Sequence, residues 1–371
     1  TLYHLIFIVK IKIIMKVCIL GNSLVSLSLA KALVNKGINT EILSQQNYLK
    51  YNKTRTLGIS KSNIDFFNKN IVNIDKLLWD INKIEIFSEN LKDKRLLKFE
   101  NSNQRLFSLI KNNELKIFLL SALKRNKLFK IKKLVSDKYL FKGKYELIIN
   151  CDSRNIITKK FFYKKMNKNY NSFAHTTIIH HKKLKENHTA TQTFTKKGPI
   201  AFLPLSEHLT SVVYSMRGKK NSEVLNLIKK YNPRYEDLKI KKIENFELKS
   251  SYLRNYYYKN ILAFGDLIHK IHPLAGQGFN MSVRDIKKLL KLIEFKVDHG
   301  LNLDSSICSE FEKQKKHENY LFSSGIDFIY EFFNLESKTD STILSKSVKR
   351  LGKNSFVKNF FIKLADRGFS I

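Results

Sequence analysis

Gly265-Asp266-Leu267-Ile268-His269-Lys270-Ile271-His272-Pro273-Leu274-Ala275-Gly276-Gln277-Gly278-Phe279-Asn280 is the stretch on which the fold turns. Residues 261–264 before it, Ile-Leu-Ala-Phe, read as a buried strand that delivers an acid, after which a Pro- and Gly-containing turn opens a helix. A carboxylate so placed, expected here as a buried acceptor, suits neutral hydroxyl donors, because the bond they form is charge-assisted. Glycines let backbone approach a flat ring, and a helix start offers bare N–H groups to negative charge. A planar redox ring that carries negative charge when reduced fits this arrangement better than a phosphate alone. Past the turn, Phe279, Val283, Ile286, Leu290 and Ile293 step by four and three, giving the helix one apolar face. Arg284 and Asp285 on the same helix read as packing or capping residues.

Working outward, the chain opens on a β-α-β unit: a strand over 16–20, a helix over 24–34 stopped at Gly37, and a second strand over 40–43. The first turn reads Gly21-Asn22-Ser23-Leu24-Val25-Ser26, where a dinucleotide fold carries G-x-G-x-x-G. Serine replaces the second and third glycines, yet the backbone N–H groups at the helix start still favour an anion. The carboxylate such folds place after the second strand is replaced by Ser44, followed by Gln45 and Gln46. A helix over 113–124, with Leu115, Phe118, Leu119 and Ala122 on one face, and a strand over 145–150 follow. Between about 173 and 253 the pattern changes to strands at 175–181, 189–195, 200–205, 209–216 and 246–252, an inserted, mostly antiparallel sheet. From about Ser305 onward the chain reads as helical and basic.

With 371 residues, 43% of them hydrophobic, the chain can bury a large core, and no apolar run approaches the roughly 18 residues of a membrane span. Residues 1–14 are apolar but interrupted by Lys10 and Lys12; they read as an upstream extension, with Met15 as the natural start. Cys18, Cys151 and Cys308 are scattered and form no CxxC, which argues against a disulfide framework or a zinc site and fits a reducing cytoplasm. The net charge of +36 is dominated by lysine spread along the whole chain, so nucleic-acid readout, which leans on arginine, is not expected. Attraction to an anionic membrane surface needs only that charge. His175, His180, His181 and His188 fall on neighbouring strands without a completing carboxylate or cysteine, so no metal is expected.

The run His272-Pro-Leu-Ala-Gly-Gln-Gly278-x-Asn280, with Gly265-Asp266 upstream, resembles the flavin-contacting motif of the ubiquinone-biosynthesis hydroxylases (UbiH/UbiF/VisC type), within the wider class of aromatic flavoprotein monooxygenases. The resemblance runs from about Met15 to Gly368 and takes in three further segments: Arg55-Thr-Leu-Gly-Ile-Ser60, Gly198-Pro-Ile-Ala-Phe-Leu-Pro204, and Cys151-Asp152-Ser153-Arg154, where the family's glycine is Ser153.

It implies a glutathione-reductase-like α/β fold with an inserted, mostly antiparallel substrate sheet and a helical C-terminus. The FAD-binding part would be discontinuous, about 15–70, 105–165 and 254–335, with the substrate sheet about 71–104 and 166–253 and a helical part over 336–371. FAD would be held by Gly21, Ser23, Ser26, Arg55, Asp152, Gly265, Asp266 and the residues Ala275, Gly276, Gln277, Gly278, Phe279 and Asn280. Pro273, Gly276, Gln277 and Gly278 would lie against the ring where the chemistry occurs. Also implied are NAD(P)H as reductant and dioxygen, acting through a flavin C4a-hydroperoxide on a polyprenylated phenol. The protein would sit in the cytoplasm, peripheral to the inner face of the membrane, beside other quinone-biosynthesis proteins. Ile200, Phe202, Leu203, Val212, Val213 and Tyr214 would offer an apolar pocket wall. His269 and His272, bracketing the loop, read either as proton-handling groups or as loop structure. Two other readings stand beside this one. A soluble aromatic acid would need an anchor such as Arg217, and a weakly active flavin-binding scaffold would explain the lost glycines.

Overall fold

The computed structural model describes residues 15–45, 54–91, 95–101, 105–134, 140, 144–218, 223–240, 242–273, 276–339, 342–352 and 354–368. Residues 1–14, Gln46, Leu274 and Ala275 lie outside them.

Lys16–Leu20 is the centre of a six-stranded sheet because every residue from Val17 to Leu20 is apolar and buried, as a strand covered on both faces must be. It pairs in parallel with Asn39–Ser44 on one side and Leu147–Asn150 on the other. Phe129–Lys133 extends the sheet beyond Asn39–Ser44, and Ile261–Ala263 extends it beyond Leu147–Asn150, both in parallel. Tyr257–Tyr258 closes that edge antiparallel. The helix Leu24–Asn35 ends in a Schellman motif, with Gly37 N–H donating to Val34 O (3.0 Å) and Ile38 N–H to Leu33 O (3.1 Å). Strand order reverses direction at Lys16–Leu20, so the crevice beyond its carboxyl end is the topological switch point where open α/β sheets bind ligands. In the helix Asn112–Lys124 the buried face is Leu115, Leu119 and Leu123, while Phe118 is turned outward.

A second, nine-stranded sheet contains Glu244–Leu253, Lys165–His180, Leu209–Arg217, Gly198–Pro204, Thr189–Thr195, Lys83–Ser88 and Arg95–Glu100 in that spatial order. Strand alternation divides the residues expected to form one apolar wall. Ile200, Phe202, Val212 and Tyr214 share a face that packs on the helix Val224–Lys230. Leu203, Val213 and their cross-strand neighbours Ala201 and Ser211 occupy the opposite face. On that same face Phe194 packs against Met281 of the helix Gln277–Asp298 and Phe322 of the helix Ser305–Thr339. A short strand, Thr56–Ser60, belongs to a three-stranded sheet with Phe107–Lys111 and Trp79–Ile81 and touches the large sheet through Thr56 and Ser211. Helices Ile343–Leu351 and Ser355–Arg367 are the last elements among the described residues.

The helix Gln277–Asp298 shows the expected apolar face, but residues 279–286 are buried on every side. Being enclosed by both sheets and by Ser305–Thr339, its first turns bury Arg284 and Asp285 as well.

Candidate functional site

Two turns meet at the switch point. In the first, Gly21 has φ +98°, and a Cβ there would come within 3.0 Å of the Cβ of Asp152. Glycine is therefore required twice over, by conformation and by the approach of the loop after Leu147–Asn150. Ser23 has an ordinary φ of −67° and caps the helix: its Oγ accepts the Ser26 N–H (3.1 Å) and lies 2.9 Å from Ser26 Oγ. Serine at both positions is thus compatible with the turn, although the cap consumes one of the N–H groups an anion would use. Asp152, partly buried, sits in a tight turn in which its Oδ1 accepts the Arg154 N–H (2.9 Å). Between the turns lies Cys151, whose thiol is pushed up to about 12 by burial, and further by the charges of Asp266 and Asp152. Both expected carboxylates therefore flank one point of the sheet end.

In the second turn, Gly265 abuts the first helix, since a Cβ on it would lie 3.1 Å from Val25 Cγ1. Asp266 was expected to be buried and is exposed. Gly265 and Leu267 on either side are buried, so its carboxylate stands out from the sheet end. Gly276 is the N-cap of Gln277–Asp298 in the left-handed region, φ +63°. A Cβ on Gly276 would stand 3.6 Å from Gly58 N, whereas one on Gly278 would meet only Ile271 Cγ1 at 3.8 Å. Gln277 is buried with its Oε1 lacking a hydrogen-bond partner among the described residues. A buried orphan acceptor beside unspent helix N–H groups is a feature that a polar ring would satisfy.

Asn280 and Phe279 turn out to hold the turn in place. Asn280 Oδ1 accepts Ser60 N–H (2.9 Å) and Asn63 Nδ2–H (2.9 Å), while its Nδ2 donates to Gly58 O (2.9 Å). With its side chain so committed, it clamps Thr56–Ser60 onto the helix, and only its backbone is left for a ligand. The Phe279 ring packs in the core near Phe67, centroids 6.4 Å apart. At the other end of Thr56–Ser60, Thr56 Oγ1 is 2.9 Å from Ser211 Oγ on the large sheet. Thr56 to Gly58 spans roughly 7 Å of extended chain, so the Ser211 region of the sheet stands close to the Gly276 turn. Arg55, next in sequence, is exposed at the start of that strand.

Residues 220–298 match the family model described as FAD binding domain, a span that contains the whole second turn. In sequence the chain is 23% identical over 273 residues to the mitochondrial ubiquinone biosynthesis monooxygenase of Schizosaccharomyces pombe, covering 60% of this chain and 57% of that protein. It is 29% identical over 153 residues to the 3-demethoxyubiquinol 3-hydroxylase of Escherichia coli, covering 38% and 39%. Over these stretches the chain is similar in sequence to ubiquinone-biosynthesis monooxygenases. It spans about half the length, or less, of the curated relatives it matches. In fold it resembles the p-nitrophenol 4-monooxygenase of Pseudomonas putida (TM-score 0.76, 12% identity, 96% of this chain and 99% of that one). Klebsiella pneumoniae HpxO, in its complex with FAD and uric acid, is comparably alike (TM-score 0.72, 10% identity, 95% and 96%). The architecture is accordingly the glutathione-reductase-like FAD-binding fold of the FAD-dependent monooxygenases.

Beneath the second turn lies a buried network that no local sequence pattern brings together. His269 Nε2 is 2.6 Å from Asp285 Oδ2, and Lys315 Nζ is 3.5 Å from Asp285 Oδ1, all three side chains being almost fully buried. Asn319 Nδ2 donates to the same carboxylate (3.3 Å). Burial would raise the Asp285 carboxyl, but Lys315 and the His269 bond hold it below the usual carboxylate range. A basic helix and an acid 16 residues past a histidine were visible in the sequence, but nothing in them placed Lys315 against Asp285. His272 is also buried, its ring 4.4 Å from that of Tyr330 and 4.9 Å from Tyr170, and burial together with Lys168 pushes its imidazole down to about 3. Of the strand histidines, His181 bonds to Lys182 O and Thr210, and His188 stacks on Trp79. Among the described residues no group of three His, Cys, Asp or Glu side chains could hold a metal.

Proposed function

We propose that the chain is an FAD-dependent monooxygenase that hydroxylates the ring of a polyprenylated phenol in ubiquinone biosynthesis, with NAD(P)H and dioxygen as co-substrates. The observation that carries this reading is the meeting, at one switch point, of Gly21 and Asp152 with a second turn whose Gly276 opens a helix beside the large sheet. The residues present fit FAD. The Gly21 turn and the start of Leu24–Asn35 would take the pyrophosphate, with Arg55 and Asp152 contacting other parts of FAD. Asp266 would accept ribityl hydroxyls, and Pro273, Gly276, Gln277 and Gly278 would lie against the ring, Ala275 completing that segment. When bound, FAD supplies the two-electron redox chemistry and the activation of dioxygen. The chain's own task is to orient the phenol, exclude water and offer helix N–H groups to the charge of the reduced ring.

The substrate wall in this reading is drawn from Ala201 and Val213, both half-buried on the face opposite Ile200 and Phe202, and not from the packed face of Ile200 and Phe202. The relatives named for ubiquinone biosynthesis support a prenylated phenol as the substrate class. A substrate of that kind, together with the net charge of +36, supports peripheral attachment to an anionic membrane from the cytoplasmic side, in contact with other quinone-biosynthesis proteins. Among the described residues no helix is long and apolar enough to cross a membrane.

One observation favours a soluble aromatic acid instead: Arg217 lines a cleft with Phe194, Pro199 and Tyr330, and Tyr330 touches His272. A single experiment separates the two. The purified protein is expected to show a flavin spectrum and to oxidise NADH or NADPH faster with a prenylated phenol than with a soluble aromatic acid. Faster oxidation with the acid would transfer the proposal to the second reading, and a protein that binds no FAD would end both.

A further inference from the structure

The C-terminal helices keep their inner faces tied to the body and leave their outer faces apolar and basic. On the inside, Ser345 donates from its N–H to Glu336 (2.6 Å), and its hydroxyl meets Ser88 (3.1 Å). Leu364 packs on the cluster of Phe194, Met281 and Phe322. Asp366 O accepts the hydroxyls of Ser60 (3.0 Å) and Ser62 (2.9 Å), and its Oδ1 accepts the Ser62 N–H (2.8 Å). On the outside of Ser355–Arg367, Phe356, Phe360, Lys363 and Arg367 fall at i, i+4, i+7 and i+11, and all four are exposed. Phe356 is 78% exposed, with Phe361 beside this row at 48%. The preceding helix Ile343–Leu351 repeats the pattern with Ile343 (70% exposed), Lys346, Arg350 and Leu351 (58%). Residues 343–368 contain seven Lys or Arg and one Asp.

Bulky aromatic side chains cost free energy when left in water, and a helix that pairs them with basic residues matches the boundary of a lipid bilayer: rings enter the headgroup layer while ammonium and guanidinium groups meet lipid phosphates. We propose that the outer faces of Ile343–Leu351 and Ser355–Arg367 form a docking surface for an anionic lipid bilayer. This rests on the peripheral-membrane reading above and gives it a location. The surface is close to the site, because Ser60, whose hydroxyl bonds Asp366 O, also gives its N–H to Asn280 Oδ1 in the helix opened by Gly276. A bilayer held there would present a lipophilic substrate beside the candidate site.

The test uses the full chain and sedimentation with phosphatidylcholine vesicles, with and without about a third phosphatidylglycerol, a composition whose surface charge attracts each nearby basic residue. Binding is expected on the anionic vesicles only. The triple variant Phe356→Ser, Phe360→Ser, Phe361→Ser should lower the partition coefficient at least roughly tenfold, from the lost apolar insertion. Lys346→Glu with Arg350→Glu should lower it by a similar factor, whereas the remote pair Lys130→Glu with Lys239→Glu should not. Equal loss with both charge pairs would mean that bulk charge does the binding, and would overturn the assignment. So would undiminished binding by the triple variant, or a protein that ignores vesicles and instead forms a dimer abolished by the triple variant. Flavin content and NAD(P)H oxidation measured without vesicles report separately on the hydroxylase reading, which can fail while lipid binding stands.

Discussion

The first turn, Gly21–Ser26, has lost two of its three expected glycines, whereas the second, Gly265–Gly278, has kept all of its own. The geometry explains which losses were tolerable. Gly21 combines a positive φ with an approach to Asp152, and it survives. The second and third positions carry Ser23 and Ser26, and where φ is ordinary and the side chain can cap a helix, serine costs little. In the second turn Gly276 needs its positive φ in order to open the helix, so no similar replacement is available. Erosion of a glycine motif therefore discriminates between positions required by backbone conformation and positions where glycine was only small.

Substitutions should reproduce that distinction. The largest effect is expected from Asn280→Ala, which removes the amide joining Gly58, Ser60 and Asn63 to the second helix; leaving those buried groups unpaired should cost about 3 kcal/mol, read by chemical denaturation. Gly276→Val is next: forcing a β-branched residue into the left-handed region costs at least about 1–2 kcal/mol. It also sets methyl groups against Gly58, so hydroxylation should be abolished while circular dichroism stays native. Asp266→Ala should lower FAD affinity by about tenfold, the scale of one charge-assisted bond, while Ser23→Ala should stay within about threefold, because its hydroxyl serves the helix cap. Equal flavin retention in these two variants would dissolve the contrast between the turns. Gly278→Ala should be nearly silent in fold, since a Cβ there meets only Ile271 at ordinary contact distance, and should show a modest loss confined to flavin content; unchanged flavin content would remove Gly278 from the ring contact.

Acid separates the same two regions. Buried His272 has its folded value lowered to about 3 from 6.5, so the unfolded chain takes up the proton first. Its contribution is complete above the unfolded value and is lost as pH falls from 6.5 toward 3. Beneath the first turn, buried Glu41 is lowered from 4.5 to about 2: burial opposes the shift, but hydrogen bonds from Lys132 and Tyr145 overcome it. Its contribution is lost only below pH 4.5. Melting temperature should therefore already decline between pH 6.5 and 4.5, and His272→Phe should flatten that limb while leaving the steeper fall below it. An unchanged upper limb in the variant would remove His272 from the account.

By itself the sequence determined the elements and the class. The buried parallel strand Lys16–Leu20, the helix stop at Gly37, the inserted strands and the Gly265–Asn280 turn are all local patterns of hydrophobicity and chain flexibility, which fix backbone conformation without reference to distant residues. Side-chain role was less legible. Asn280 and Phe279 read as ligand contacts, and the clamp and core roles of their side chains were not legible, because the partners that claim them, Ser60, Asn63 and Phe67, are more than 200 residues away. Which face of the large sheet packs on the helix Val224–Lys230, that of Ile200 and Phe202 or that of Ala201 and Val213, is decided by the tertiary structure, and both faces have the same alternating pattern. The buried His269–Asp285–Lys315 network likewise needed three elements brought together before its charges could offset one another's cost of burial. Only the tertiary structure decides such matters, since burial and pairing depend on which surfaces meet, and periodicity fixes a face without naming what covers it.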